Sequence, residues 1–127
     1  MQTDERPDGR RPDRPPAMAA TDDAAAVRWT ALSGFQRDLL VMIKLLDGEG
    51  SPSSGTCIMD AVSDYYECSV DHARLYRNLD ELVELDLVEK SFIDGRTNAY
   101  LLTDDADRVL RKVTQTLEWT CGVQLER

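Results

Sequence analysis

Arg74, Arg77 and Asn78 lie within five consecutive residues, and Arg96 directly follows an Asp-Gly pair. A guanidinium group donates two parallel hydrogen bonds to guanine O6 and N7, and an asparagine amide pairs in the same way with adenine. Arginine and asparagine side chains also bind phosphate oxygens. These residue types and their spacing therefore predict hydrogen bonding to a nucleic acid.

The residues that usually perform catalysis or hold metals are scarce. The chain has a single histidine, His72, and three widely spaced cysteines without a Cys-x-x-Cys pair. A Ser-His or Cys-His pair would have to use that one histidine. We therefore expect no enzyme, no catalytic residue, no metal site and no disulfide framework. Cys57 and Cys68 are the candidates for redox sensing, although a buried structural cysteine is usually inert.

The charge of the chain opposes a nucleic-acid partner. Asp and Glu number 24 against 15 Lys and Arg, the net charge is -9, and only three of the basic residues are lysines. This composition resembles that of proteins from salt-loving archaea, in which an acidic surface stays hydrated where salt screens repulsion. The alternative is an ordinary acidic protein that binds basic partners. K+ ions bound at the surface, between carboxylates and phosphates, are the one cofactor that we consider; otherwise we expect none.

Two predicted helices precede the arginines. Ser33 and Gln36 have the spacing of a capping box, with Leu32 as its hydrophobic staple. Apolar residues then recur at helical spacing in the first helix, at Phe35, Leu39, Met42, Ile43 and Leu46. The second helix follows a Ser/Pro/Gly loop, ends near Glu67, and should bury one face formed by Ile58, Ala61, Val62 and Tyr65.

The third predicted helix starts after Ser69, which would act as its cap, and runs to about Asp86. Its buried side carries Leu75, Leu79, Leu82 and Asp86, with Tyr76 and Val83 at the edge. The opposite side carries Ala73, Arg74, Arg77, Glu81 and Glu84. Basic residues occupy the N-terminal half of this exposed side and acids the C-terminal half, as expected for a helix whose N-terminal residues reach base edges. The alternative is that the two arginines pair with Glu81 or Glu84 on a solvated surface.

A hairpin and a last helix complete the pattern. Residues 88–93 and 97–102 flank Asp94-Gly95, which is a strong hairpin signal. Thr103 should cap the final helix. Three helices followed by a hairpin predict a winged helix-turn-helix, mainly α with a small β-hairpin. The predicted DNA-contacting residues on the third helix and hairpin are Ser69, His72, Arg74, Arg77, Asn78, Lys90, Arg96, Thr97 and Asn98.

The rest of the chain divides into segments of different composition. Residues 1–20 combine four prolines with alternating charge and predict a disordered arm, or an extension upstream of a protein that starts at Met18. Residues 21–31 predict a short leading helix or linker, 32–103 the DNA-binding domain, and 104–127 a C-terminal helix and tail. No apolar run is long enough to cross a bilayer, and we expect a cytoplasmic protein with no membrane role.

Residues 75–82 (LYRNLDEL), then Leu87-Val88-Glu89, Gly95-Arg96 and residues 100–103 (YLLT), resemble the PadR family of winged-helix transcription regulators. With its acidic composition the chain is similar to the small PadR-like regulators of halophilic archaea, including the type that responds to reactive oxygen species. The resemblance implies a homodimer on double-stranded DNA, a phosphate contact from Tyr76, and a C-terminal dimerisation helix.

The last helix carries an apolar stripe at spacings of three and four, formed by Ala106, Val109, Leu110, Val113 and Leu117. We interpret this stripe as the dimer contact, with packing against the first helix as the alternative. The preferred function is a sequence-specific transcription regulator adapted to high salt and active in a stress response. The alternative is a winged helix that contacts proteins in a transcription or chromatin complex. The sequence does not identify a small-molecule effector.

Overall fold

The computed structural model describes residues 28–50, 53–92, 94 and 97–122. The elements are α1 (Gly34–Gly48), α2 (Gly55–Tyr66), α3 (His72–Glu84), β1 (Val88–Phe92), β2 (Asn98–Leu102) and α4 (Asp104–Cys121). Residues 28–30 are helical and precede α1. This order confirms the predicted winged helix-turn-helix with a C-terminal helix. The predicted arm and most of the predicted leading helix lie outside the described residues.

Apolar side chains from every element meet in one core. The largest fully buried ones are Tyr100, Leu39, Leu40, Ile43, Ile58, Leu75, Leu79, Leu82, Leu87, Val62, Val88 and Val109. On α1 and α3 these residues recur three and four positions apart, so each helix turns one side inward. The core therefore fixes which side chains of α3 face outward.

The N-terminus of α1 is capped as the sequence predicts. The Ser33 hydroxyl accepts a hydrogen bond from the Gln36 backbone N–H at 3.2 Å, and the Gln36 side-chain oxygen accepts one from the Ser33 N–H at 3.2 Å. This reciprocal arrangement satisfies two backbone donors that a helix start leaves without partners. Gln36 itself is only 7% exposed, so its amide is held inside the domain.

Helix α2 begins one residue after Ser54, whose hydroxyl accepts from the Cys57 N–H at 3.2 Å. It ends at Glu67, which takes a left-handed backbone conformation with φ +59°. The prediction that Tyr65 belongs to the buried face is wrong, because Tyr65 is 58% exposed. Its neighbour Tyr66 packs against the core instead, with its ring centroid 6.0 Å from that of Phe35.

The predicted cap of α3 is also wrong. Asp71, rather than Ser69, caps this helix, and its carboxylate accepts from the Arg74 N–H at 2.9 Å. Between these two residues Val70 is buried, and its N–H donates to the Ser63 hydroxyl at 3.2 Å. Burial of Val70 sets where the helix starts, and aspartate caps a helix as well as serine does.

The helix ends earlier than predicted, at Glu84. Asp86, predicted on the buried side, is exposed, because it lies beyond the helix and reverses the chain with φ +62°. The Leu87 N–H then donates to the Leu82 carbonyl at 3.0 Å. Aspartate tolerates this left-handed conformation better than most residues other than glycine.

The hairpin is antiparallel, and its register pairs Val88 with Leu102, Lys90 with Tyr100 and Phe92 with Asn98. Two contacts attach it to the helices. The Tyr100 N–H donates to the Ser53 carbonyl at 2.8 Å, beside the start of α2. Thr103 caps α4 as predicted, accepting from the Ala106 N–H at 3.1 Å, and its own hydroxyl donates to the Asp86 carbonyl at 2.8 Å. The end of α3, the hairpin and α4 are therefore joined at one point.

Candidate nucleic-acid interface

Arg77 lies on the side of α3 that faces away from the core, together with Ala73 and Glu84. Its side chain is exposed and forms no ion pair with any other described residue. The predicted alternative, in which Arg77 pairs with Glu81 or Glu84, is not seen. A charged guanidinium held on the exposed side of a well-packed helix is available to an anionic or hydrogen-bonding partner.

Arg74 lies three residues earlier and has a different environment. Its guanidinium carbon is 3.9 Å from the centroid of the Phe35 ring on α1, a cation–π contact. The same residue acts electrostatically on Tyr66. Burial raises the pKa of the Tyr66 phenol to about 12, with a further increase from its hydrogen bond to Asp38 and a partial reduction from the charge of Arg74. Arg74 is therefore fixed against the rim of the core.

The predicted base reader Asn78 is engaged within the protein. Its Oδ1 accepts from Gln36 Nε2 at 3.0 Å, and its Nδ2 donates to the Arg74 carbonyl at 2.8 Å. Gln36 Nε2 also donates to Glu81 Oε1 at 2.7 Å. These hydrogen bonds fix the Asn78 amide against α1 and its own helix. The sequence did not identify Gln36 as a link to α3. Its place in the capping box already explained why a glutamine stands at this position.

A polar cavity of about 320 Å³ lies between the start of α2, α3 and the hairpin. Its lining consists mainly of hydroxyl, amide and imidazole groups from Ser54, Gly55, Thr56, His72, Tyr76, Thr97, Asn98 and Tyr100. Four of the predicted contact residues, His72, Tyr76, Thr97 and Asn98, are thereby brought together. The first N–H groups of a helix have no partner within that helix, so the start of α2 adds hydrogen-bond donors to this wall.

Gly55 allows Tyr76 to reach the start of α2. A Cβ atom at position 55 would stand 2.0 Å from the Tyr76 hydroxyl oxygen and 2.6 Å from Cζ. The His72 ring centroid is 4.5 Å from that of Tyr76. The Tyr76 ring thus contacts both a glycine and a histidine, with its hydroxyl at the helix terminus. Ser54, Gly55 and Thr56 were missed in the sequence, although the Ser/Pro/Gly loop followed by a helix signals such a terminus.

Lys90 is the predicted cation on the described part of the hairpin. Lys90 Nζ is 4.0 Å from Asp80 Oδ1 on α3 and 5.9 Å from the centroid of the Tyr100 ring. Its charge is therefore partly directed toward the protein. Ser69 is exposed and lies before the start of α3. Arg96, predicted at the tip of the hairpin, lies outside the described residues.

On α4 the predicted dimer stripe divides into two parts. Ala106 and Val109 are buried in the core of their own chain and are not accessible to a partner. Leu110 and Val113 are half-buried, and Leu117 is 57% exposed. The start of the stripe is therefore covered within its own chain, and only its later part is available to a second chain.

A groove of about 490 Å³ runs between α1 and α4 beside this stripe. It is lined by Val41, Lys44, Leu45, Asp107, Leu110, Arg111, Thr114 and Gln115. Asp107 accepts from Lys44 at 2.7 Å and from Arg111 at 2.8 Å, and these two hydrogen bonds lower the pKa of its carboxyl group. The groove thus has exposed apolar walls around the charged Asp107 carboxylate, which is paired with two cations.

The three cysteines are free thiols; Cys57 is half-buried, and Cys68 and Cys121 are exposed. Within the described ranges, no group of three or more His, Cys, Asp or Glu side chains could hold a metal ion. None of the described helices is both long enough and apolar enough to cross a membrane.

No family model and no curated protein matches the sequence. Among solved structures, the chain is similar to the hsRosR-S1 complex, with 40% identity over 73% of this chain and 76% of that chain and a TM-score of 0.59. It is similarly related to RosR of H. salinarum, with 41% identity over 68% and 76% of the two chains and a TM-score of 0.58. AF1382 from Archaeoglobus fulgidus shares only the fold, with 17% identity over 73% and 96% and a TM-score of 0.53.

Proposed function

The chain belongs to the PadR-like winged-helix transcription regulators of halophilic archaea that include RosR, and from this membership we propose that it binds a specific double-stranded DNA sequence as a homodimer. Helix α3 enters the major groove, and the hairpin lies on the adjacent backbone or minor groove. The observation that carries the proposal is the position of Arg77, which is exposed, has no ion pair with a described residue, and directly follows Tyr76, a residue that lines the polar cavity.

The two features supply the two kinds of contact that DNA recognition needs. Arg77 projects where a guanidinium would reach the edge of a guanine, which specifies sequence. The cavity offers the Tyr76 hydroxyl, the His72 imidazole and the N-terminus of α2 to a backbone phosphate, which sets the position of the protein on the duplex. In this proposal Arg74 and Asn78 hold α3 against α1 and do not read bases.

The experiment uses duplexes selected from fragments of the source genome by the full-length protein. Arg77→Ala should lower the affinity for a selected duplex by about tenfold or more, since a bidentate arginine contributes about 1–3 kcal/mol of discrimination. It should also relax the preference at one base pair in each half-site. The matched control is Arg108→Ala on α4, an exposed arginine that pairs with Asp105 away from the cavity. Equal affinities for the parent protein and both variants would refute the proposal.

If no fragment is selected, the alternative of a protein-contacting winged helix is favoured. The acids Asp80, Glu81 and Glu84 on α3 would then meet a basic partner.

The net charge of -9 has to be reconciled with DNA binding. A protein that makes 6–10 phosphate contacts ordinarily loses about 10³–10⁵ in affinity between about 50 and 200 mM salt. We infer that this protein instead takes up K+ ions between its carboxylates and the phosphates, so that affinity stays level or rises with KCl. Asp80, Glu84 and Glu89 are exposed acids near the proposed interface. A steep loss of affinity in a KCl titration would eliminate this part of the proposal.

The homodimer is supported by the apolar surface that α4 leaves uncovered. Val41 and Leu45 are exposed in the groove, Leu117 is exposed further along α4, and a two-fold contact would cover all three in both copies. Leu117→Glu should shift the protein toward monomers in sedimentation measurements, while Leu101→Glu on the hairpin should not. An unchanged oligomeric state in Leu117→Glu would place the contact elsewhere.

We also propose a role in the oxidative stress response. It rests on the resemblance to regulators of that type and on the presence of free thiols at Cys57 and Cys68. If the thiols themselves sense oxidant, replacing all three cysteines with serine should abolish the effect of peroxide on DNA binding. A response that persists in the cysteine-free variant would rule out thiol sensing.

A further inference from the structure

Phe92 is an apolar side chain in an unusual position. It is 77% exposed at the end of β1, the most exposed large apolar side chain of the described residues. Leaving an aromatic ring in water forfeits the free energy of its burial. The position of Phe92 on the hairpin indicates what would cover it.

The pairing register places Phe92 on the inner side of the hairpin. Side chains alternate along a strand, so Val88, Lys90 and Phe92 share one side, and directly paired residues lie on the same side as each other. Val88 is buried in the core, and Lys90 stands beside Asp80 of α3. Phe92 is the next residue in this row, at the point where the hairpin extends beyond the core.

The neighbour of Phe92 across the hairpin is part of the proposed interface. Phe92 pairs with Asn98, and Asn98 lines the polar cavity with His72 and Tyr76. The ring is therefore adjacent to the cavity that we propose receives a phosphate, on the side of the hairpin that faces α3. The surface proposed for a second copy of the chain is formed by α1 and α4, so a second copy does not account for this ring.

We propose that Phe92 packs in the minor groove of the bound duplex, against the deoxyribose edges next to the major-groove segment occupied by α3. This inference rests on the proposed function and adds an apolar contact to it. Proteins that reach into the minor groove often place an apolar side chain there. A neutral ring is neither repelled by phosphate nor screened by salt, which suits an acidic protein in concentrated KCl.

The experiment measures the affinity of the full-length protein for a selected genomic duplex, from low to molar KCl. Phe92→Ala should lower the affinity by about tenfold, which corresponds to about 1.4 kcal/mol, and by the same factor at every KCl concentration. Phe92→Leu should recover most of the loss. Leu101→Ala, on the opposite side of the hairpin and 38% exposed, is the matched control and should bind as the parent protein does.

Hydroxyl-radical footprinting locates the contact, because the radical attacks sugars from the minor groove. The parent protein should protect sugars at one position in each half-site, and Phe92→Ala should leave those sugars open. The proposal is overturned by an unchanged affinity or footprint in Phe92→Ala, by a loss that fades as KCl rises, or by an equal loss in Leu101→Ala. If the parent protein and every variant fail to bind any duplex, the proposed function itself fails. If the parent protein binds and Phe92→Ala binds equally well, the inference about Phe92 fails and the proposed function stands.

Discussion

The two flanks of α3 carry similar residue types in different environments. On the flank toward α1, Arg74 lies over the Phe35 ring and Asn78 exchanges hydrogen bonds with Gln36. On the outward flank, Arg77 has no ion pair with a described residue, and Tyr76 reaches the start of α2. The difference shows that the fold gives Arg74 an aromatic partner and leaves Arg77 without an ion pair among the described residues.

The largest expected effect comes from changing the outward flank at Gly55. In Gly55→Ala the new methyl group would stand within 3 Å of the Tyr76 hydroxyl and ring, so the tyrosine must leave the start of α2. We expect a loss of about 3 kcal/mol of DNA-binding free energy, since the displaced Tyr76 would take its hydroxyl away from the phosphate and block the N–H groups at the start of α2. Titration of a selected duplex measures this loss.

Gly34→Ala, at a glycine where an added Cβ meets nothing, is the control for the Gly55 substitution. Equal affinities of Gly55→Ala and the parent protein would mean that the cavity does not hold a phosphate.

The flank toward α1 is tested by Gln36→Leu. The substitution removes hydrogen bonds to Asn78, Glu81 and the Ser33 N–H, while a side chain of similar volume still fills the site. We expect a loss of about 2 kcal/mol in the free energy of unfolding, because the lost bonds are partly buried. Urea denaturation measures it, with Gln115→Leu on the exposed side of α4 as the control. If both variants unfold like the parent protein, Gln36 does not support α3.

A smaller effect is expected at Tyr66, beside Arg74. The folded pKa of about 12 exceeds the ordinary value of 10.0, so the folded state favours the neutral phenol. This stability is fully present below about pH 10 and is lost as the pH rises through 12. Tyr66→Phe should cost about 1 kcal/mol at neutral pH through the lost hydrogen bond to Asp38.

Tyr66→Phe should also unfold less steeply with rising pH above 10 than the parent protein. Melting temperatures across this range measure the difference, and Tyr65→Phe, at an exposed position, is the control. Parallel pH profiles for the parent protein and Tyr66→Phe would mean that folding does not raise the pKa of the Tyr66 phenol.

Features that depend on local sequence were predictable. The capping box at Ser33 and Gln36, the hairpin around Asp94, and the cap at Thr103 all follow from residue type and short spacing. Periodicity alone does not distinguish neighbouring residues on the edge of a helix, so Tyr65 was assigned the burial that belongs to Tyr66. The start of α3 depends on the burial of Val70 between helices, which a local cap signal does not reveal.

The candidate site was less predictable because it depends on tertiary contacts. Asn78 has the chemistry of a base reader, but the amide of Gln36, distant in sequence, occupies it. The apolar residues of the α4 stripe recur at helical spacing along its whole length. The first two are nevertheless buried in the core of their own chain, and the last is exposed. The cavity is formed by residues of α2, α3 and the hairpin. The sequence predicted contact residues on α3 and the hairpin but none at the start of α2.

The most direct test of the difference between the two flanks compares Arg74→Ala with Arg77→Ala in the full-length protein. Affinity for one selected duplex and melting temperature are measured for both variants. Arg77→Ala should lose about tenfold or more in affinity at an unchanged melting temperature. Arg74→Ala should melt at a lower temperature, because its contact with Phe35 is lost, and should retain most of its affinity. The reverse pattern, with affinity lost in Arg74→Ala and kept in Arg77→Ala, would contradict the account.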